Sequence, residues 1–82
     1  MENRIEMLKE RIENIECIIS DYKADISDNF KAWWIKDSMR DGETYEQAVE
    51  SYEKHERITK SLIEDAEKDL NKAIEELKRI AE

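Results

Sequence analysis

A seven-residue repeat of apolar residues in the first third of the chain limits most strongly what it can fold into. Between residues 5 and 26 the apolar positions alternate in steps of three and four without interruption. This is the heptad period that keeps one face of a helix against a partner helix. We call these positions the first seam: Ile5, Leu8, Ile12, Ile15, Ile19, Tyr22 and Ile26.

The second half of the chain carries a matching set, the second seam, whose steps are those of the first in reverse order. Its members are Thr59, Ile63, Ala66, Leu70, Ala73, Leu77 and Ile80. Two heptad repeats can be aligned in a few registers. Gly42, the only glycine, marks the fold point and selects the register in which the numbers of two facing residues add to 85. We call this relation the pairing rule. The sequence therefore predicts an all-α fold, a long antiparallel helical hairpin that forms one domain over residues 1–82.

More apolar residues lie beside the seams than two helices need. They are Met7, Ile18, Ile35, Ile58, Leu62 and Ile74. A wide apolar stripe is typical of a helix with more than one partner. A chain of 82 residues also buries only a modest core by itself. We therefore expect two hairpins to associate as a homodimer, a coiled-coil-like four-helix bundle.

Capping residues set the expected ends of the two helices. Asn3, three residues before Glu6, is arranged as an N-cap for the first helix. Gly42 suits the left-handed conformation that ends a helix. Thr44 and Gln47 have the spacing of a capping box. The expected segments are a helix, a turn and a helix, over residues about 4–40, 41–43 and about 44–81.

The first helix has a weak point at residues 27–29, where Ser, Asp and Asn favour caps and turns over helix interiors. The seam also changes phase there, because Phe30 follows Ile26 by four residues when three are due. We expect a continuous or kinked helix with a stutter that locally unwinds the supercoil. The alternative is a break, with Ser27 or Asp28 capping a short second helix that runs to about Arg40.

An aromatic stretch before the turn contains the adjacent residues Trp33 and Trp34. Neighbouring helical residues point about 100° apart, so both do not enter one narrow seam. The pairing rule places Trp33 opposite Tyr52 and Phe30 opposite His55, with Trp34 on the flank. One interpretation is a widened core, partly buried by a second copy. The other is a protein-binding patch, since Trp and Tyr are enriched at binding hot spots: Phe30, Trp33, Trp34, Tyr45 and Tyr52.

The sequence contains no motif for catalysis or for a metal. There is one glycine, so no Gly-rich phosphate loop is possible. Cys17 and His55 are single residues that the pairing rule places far apart. We predict packing roles for both, with Cys17 as a small buried apolar residue. We expect no enzymatic activity, no cofactor and no metal.

The charge balance disfavours two classes of partner. The chain has 22 acidic and 14 basic residues, interspersed, for a net charge of −8. Direct nucleic-acid binding needs clustered Lys and Arg, and an anionic membrane surface would repel the chain. No apolar run is long enough to span a bilayer, and the first residues lack a signal-peptide core. We therefore expect a cytoplasmic protein.

Acidic residues also line one face of the last helix, at Glu46, Glu50 and Glu53. Our leading hypothesis is a non-enzymatic protein-binding module, a regulator or inhibitor of a host protein encoded by a phage or mobile element. The alternative is a nucleic-acid mimic with an anti-CRISPR-like role, whose acidic face blocks a nuclease or a DNA-binding protein. A third hypothesis is a structural spacer.

Overall fold

A computed structural model describes residues 2–81 of the chain, which form three α-helices and no strand. Helix α1 spans Glu2–Ala24, α2 spans Asp28–Arg40 and α3 spans Tyr45–Ala81. The predicted all-α class is confirmed. No helix in this range is both long enough and apolar enough to cross a bilayer.

Helices α1 and α2 both contact α3, and the molecule measures 57 × 15 × 15 Å. An ion pair joins Arg4, near the start of α1, to Glu76, near the end of α3. At the other end of α1, the His55 imidazole Nε2 donates to the Asp25 carbonyl oxygen over 3.1 Å. Early residues of α1 thus lie beside late residues of α3, and the body of the molecule is two helices thick.

The seams are the surfaces that pack together. Every residue of the first and second seams is buried or half-buried. Among residues 3–25, no side chain outside the first seam is even half-buried. The best-buried aliphatic seam residues are Leu8, Ile19, Ile63 and Ala73, each less than 10 % exposed. The heptad pattern therefore identified the inward face of α1 correctly.

The turn that follows α2 depends on Gly42. Its φ of +102° lies in the left-handed region, where a residue with a Cβ is strained. The Gly42 N–H donates to the Met39 carbonyl, and the Glu43 N–H donates to the Ser38 carbonyl, each over 3.1 Å. These two bonds form a Schellman motif, which satisfies carbonyls that the end of a helix leaves unpaired.

The two predicted N-terminal caps have opposite outcomes. The Thr44 N–H donates to the Gln47 side-chain oxygen over 3.0 Å, and the Gln47 N–H donates to the Thr44 hydroxyl over 3.2 Å. The capping box is therefore confirmed. The Asn3 cap is wrong, because α1 already begins at Glu2 and Asn3 lies inside the helix.

The expected continuous helix over residues 4–40 is also wrong, since the chain leaves α1 after Ala24 and enters α2 at Asp28. Across this break the backbone N–H groups of Asp25, Ile26 and Ser27 donate to carbonyls three residues back, over 3.1–3.3 Å. Such 3₁₀-type bonds tighten the end of a helix without leaving amides unpaired. The alternative prediction, a break with Ser27 as the cap, is confirmed.

The Ser27 hydroxyl connects the two helices that the break separates. It accepts from the Phe30 N–H at the start of α2 over 3.2 Å. It also donates to the Ala24 carbonyl at the end of α1 over 2.9 Å. One side chain therefore pairs a donor of α2 and an acceptor of α1 that the helices themselves leave free.

Replacing Ser27 by Ala removes both bonds, and we expect it to lower the free energy of unfolding by about 1 kcal/mol. Ser27→Asp keeps an acceptor for Phe30 and should recover most of that loss. Ser20→Ala, on the exposed side of α1, is the matched control and should be close to neutral. Urea unfolding followed by far-UV circular dichroism measures all three. Equal stabilities of Ser27→Ala and Ser20→Ala would contradict the capping role.

Candidate protein-binding site

Five rings pack together where α2 lies on α3, and we call them the aromatic cluster: Phe30, Trp33, Trp34, Tyr52 and His55. The Trp34 indole is at the centre. It stacks on the His55 imidazole, with ring centroids 4.9 Å apart and planes inclined by 19°. It meets the Tyr52 ring edge-on, at 6.1 Å and 72°. Both geometries are favourable for aromatic pairs, so Trp34 holds α2 to α3.

Phe30 lies beside Trp34 and joins the two tryptophans. Its centroid is 5.7 Å from that of His55, 6.1 Å from that of Trp34 and 5.5 Å from that of Trp33. The predicted pairing of Phe30 with His55 is confirmed. The capping bond from the Phe30 N–H to Ser27 fixes the backbone under this ring.

The two tryptophans have exchanged the places that the pairing rule gave them. Trp33, expected opposite Tyr52, is 57 % exposed, and Trp34, expected on the flank, makes the Tyr52 contact. The reason is the break at Ser27. A continuous heptad through Ile26 and Phe30 turns residue 33 inward, whereas a helix that starts afresh at Asp28 turns residue 34 inward.

Tyr52 is the largest fully buried side chain of the described residues, at 1 % exposure. Burial raises the pKa of its phenol from the ordinary 10.0, and the carboxylates of Glu56 and Asp28 raise it further. The Lys31 ammonium lies 5.7 Å from the ring centroid, in range of a cation–π contact. Sequence reasoning missed Lys31, whose only signal is its place within the aromatic stretch.

The Trp34 indole Nε1 is buried without a hydrogen-bond partner among the described residues. An unpaired buried donor costs about 1–3 kcal/mol. The contacts of the Trp34 ring with His55, Tyr52 and Phe30 must offset that cost. Trp34 therefore stabilises the fold through its hydrophobic area, which a ring without an N–H would also supply.

His55 and Cys17, the two residues with reactive side chains, have different surroundings. His55 is half-buried, stacked on Trp34 and bonded to the Asp25 carbonyl, so it ties the end of α1 to the cluster. Cys17 is exposed, and its prediction as a buried apolar residue is wrong. No group of three or more His, Cys, Asp or Glu within residues 2–81 could hold a metal ion.

Tyr45 stands apart from the other predicted contact residues. It is 61 % exposed at the first position of α3 and makes no ring contact with the described members of the cluster. The structure thus brings together Phe30, Trp33, Trp34 and Tyr52, of which Trp33 alone offers most of its ring to solvent. The part of this site that another molecule can reach is centred on Trp33.

The acidic face is exposed along its length. Glu46, Glu50 and Glu53 lie on consecutive turns of α3 and form no ion pair with the described residues. One helix turn further, Glu56 pairs with Lys60 over 2.9 Å. The hydrogen bond from Lys60 lowers the pKa of the Glu56 carboxyl, and the same bond raises the pKa of Lys60. Charge on α3 is therefore neutralised beyond the acidic face rather than within it.

The two tryptophans should differ in their contribution to stability. We expect Trp34→Ala to lower the free energy of unfolding by about 3 kcal/mol, because it removes the centre of the cluster. Trp33→Ala should cost about 0.5 kcal/mol, as for other exposed positions. Trp34→Phe should cost much less than Trp34→Ala, because it keeps a ring and removes the unpaired N–H. Chemical denaturation checks the order, and a larger loss for Trp33→Ala would refute the assignment.

The raised pKa of Tyr52 makes stability fall at alkaline pH. Its phenol stays protonated in the folded chain at a pH where the unfolded chain releases the proton. The stabilisation is therefore complete below pH 10.0 and is lost as the pH rises through the folded-state pKa. We expect Tyr52→Phe to flatten this alkaline loss, measured as thermal midpoint against pH. The exposed Tyr45→Phe is the control and should keep the wild-type slope, and identical slopes for both variants would contradict the prediction.

Comparison with known proteins gives no resemblance to argue from. The chain has no significant match to a protein-family model, to a curated protein or to a solved structure. Its function therefore has to be argued from the aromatic cluster, the exposed Trp33 and the acidic face.

Proposed function

We propose that this chain is a non-enzymatic protein-binding module that uses Trp33 to contact another protein. The observation that carries this proposal is the 57 % exposure of an indole that is packed against Phe30 at 5.5 Å. Tryptophan is among the residues most enriched at binding hot spots. A side chain held in place before binding loses less conformational entropy when a partner covers it.

The support beneath Trp33 favours a contact of defined geometry. Phe30 touches Trp33 on one side and is itself held by Trp34 and His55. The anchor therefore stands on a helix whose rotation is fixed by internal packing, which positions a site better than a loop does. We propose that the module regulates or inhibits a host protein in the cytoplasm and is encoded by a phage or mobile element. This part rests on its small size and on the lack of a chemical motif.

We also propose that the chain is an antiparallel hairpin that pairs with a second copy into a four-helix bundle. In support of the hairpin, Arg4 contacts Glu76, Asp25 contacts His55 and Trp34 contacts Tyr52. As the residue number rises along α1 and α2 in these contacts, the number of the α3 partner falls, which is the order of an antiparallel pair. In support of the dimer, large apolar side chains stay exposed along the 57 Å length of the molecule, which we call the rod.

The second candidate function is the nucleic-acid mimic, which the free carboxylates of Glu46, Glu50 and Glu53 favour. Unpaired negative charges in a row attract a basic groove built for phosphates. Such a complex depends on long-range attraction, which salt screens. Binding through Trp33 depends mainly on apolar burial and tolerates salt.

Capture of a partner by tagged protein from nuclease-treated host lysate separates these functions. We expect a partner that survives a high-salt wash, is retained by the triple variant Glu46→Gln/Glu50→Gln/Glu53→Gln and is lost with Trp33→Ala. Loss of a hot-spot residue costs about 2 kcal/mol or more, roughly a thirtyfold weakening. Met39→Ala is the matched control, because Met39 is also an exposed apolar residue of α2.

Two other results would overturn the Trp33 proposal. Capture of a basic nucleic-acid enzyme at low salt only, lost with the triple variant, would favour the mimic. A partner that neither set of changes affects would favour the structural spacer.

A further inference from the structure

Four large non-aromatic apolar side chains of α1 and α3 remain exposed after the chain has packed on itself. Of the six residues beside the seams, Ile35 and Ile74 are half-buried. The other four are Met7 at 69 % exposure, Ile18 at 45 %, Ile58 at 57 % and Leu62 at 42 %. The contact between α3 and the other two helices therefore leaves these four unused.

Ile18 and Leu62 lie side by side on one edge of the rod. Each directly precedes a seam residue, as do Arg4 and Glu76, which form an ion pair. The residue numbers of that pair add to 80, as do those of Asp25 and His55 in their hydrogen bond. Ile18 and Leu62 also add to 80 and occupy the same heptad position, between these two contacts. Ile18 and Leu62 therefore lie next to each other on the rod, between the ion pair at one end of α1 and the hydrogen bond at the other.

The other two exposed residues extend the same edge. Ile58 is four residues from Leu62 on α3, and so lies one turn along the same face. Met7 borders a shallow groove of ≈ 280 Å³ that the Arg4–Glu76 pair also lines. We call Met7, Ile18, Ile58 and Leu62 the apolar edge. Half-buried Ile74 lies across the second seam from Leu62, so exposure is confined to one side.

Three residues of the apolar edge lie near the middle of the rod: Ile18, Ile58 and Leu62. The two arms run from residue 2 to the turn at Gly42, so the midpoint lies near residue 22 of the first arm. Ile18 and Leu62 lie four residues from that level, or about 6 Å. Ile58, by the same pairing, is level with residue 22. A two-fold axis across the middle of the rod would bring this trio onto its own copy, as an isologous interface requires.

The dimensions of the rod match a second copy of the chain. One side of a 57 × 15 Å body offers about 860 Å², close to the roughly 800 Å² per partner of a stable interface. The accessible area is 6612 Å², whereas a compact monomer of 9.8 kDa exposes about 5,200 Å². A partner must run the full length of the rod to cover that side, and a second copy does so.

We infer that a second copy of this chain docks on the apolar edge, with Ile18, Ile58 and Leu62 around the two-fold axis. The inference rests on the proposed dimer and specifies its face. Two chains of net charge −8 repel each other. Apolar burial must therefore drive the pairing, and added salt must strengthen it by screening the repulsion.

Sedimentation equilibrium of the purified chain from about 1 to about 200 µM tests the inference. We expect a dimer whose dissociation constant falls as salt is raised. Ile18→Gln and Leu62→Gln should each weaken it at least tenfold, since the symmetry removes each side chain twice. Met39→Gln, an exposed apolar position at the end of α2, should leave it unchanged. Circular dichroism confirms that each variant is helical.

Disulfide trapping gives an independent readout in chains that keep the native core. In a Cys17→Ser background, Ile58→Cys should form a covalent dimer under mild oxidation, because residue 58 lies level with the two-fold axis and there meets its own copy. The matched control is Arg57→Cys, the preceding exposed position, which points about 100° away from Ile58 on the helix. Equal trapping at the two positions would contradict the docking face, as cysteine pairs need Cα atoms within about 7 Å.

The outcomes separate this inference from the proposals above. A chain that stays monomeric throughout overturns both the dimer and its face. A dimer unaffected by Ile18→Gln and Leu62→Gln overturns the face alone. Capture of a partner through Trp33 is a separate assay, and a monomeric Leu62→Gln chain that still captures the partner shows that the two surfaces act independently.

Discussion

The rotation of α2 about its axis is the constraint on which the rest of the structure depends, and it is set where the Ser27 hydroxyl joins α1 to α2. That hydroxyl accepts from the Phe30 N–H in the first turn of α2 and donates to the carbonyl of Ala24, the last residue of α1. Helix α2 therefore begins with a rotation about its axis that does not continue the rotation of α1. This rotation turns Trp34 onto Tyr52 and leaves Trp33 in solvent. A change of about 100° at this point would exchange the buried and the exposed indole.

The features that sequence predicted well are those fixed by a few neighbouring residues or by a long repeat. Gly42 and the Thr44–Gln47 box are local, because their geometry is decided within one turn of backbone. The first seam is long, so one irregularity does not hide its face. The Trp positions belong to neither class. They depend on whether a three-residue segment continues a helix or ends it, and Ser-Asp-Asn is compatible with both. Whether the helix ends at residues 27–29 therefore decides which of the two tryptophans is buried.

The two ends of the rod are held together by different chemistry. Along α1 a narrow seam, aliphatic except for Tyr22, packs on α3, and no side chain outside the seam is even half-buried within residues 3–25. At α2 the contact is made by rings, with His55 reaching back to the Asp25 carbonyl. The aromatic end includes an indole N–H without a partner. The stability of the aromatic end therefore depends on ring area, and its packing leaves the Trp33 ring exposed.

Met39 and Tyr45 flank the turn, and the other exposed large apolar side chains of the described residues are those of the apolar edge and Trp33. Ile18, Ile58 and Leu62 of the apolar edge lie near the middle of the rod, while Trp33 lies eleven residues beyond the midpoint towards the turn, or about 16 Å along the axis. A two-fold axis through the middle would carry two Trp33 side chains towards opposite ends of the dimer. Each end would then present a ring supported by its own aromatic cluster. In the proposed dimer, two linked anchors would raise the effective concentration of the second contact once the first has formed, so pairing would add avidity to a module that binds through one exposed indole.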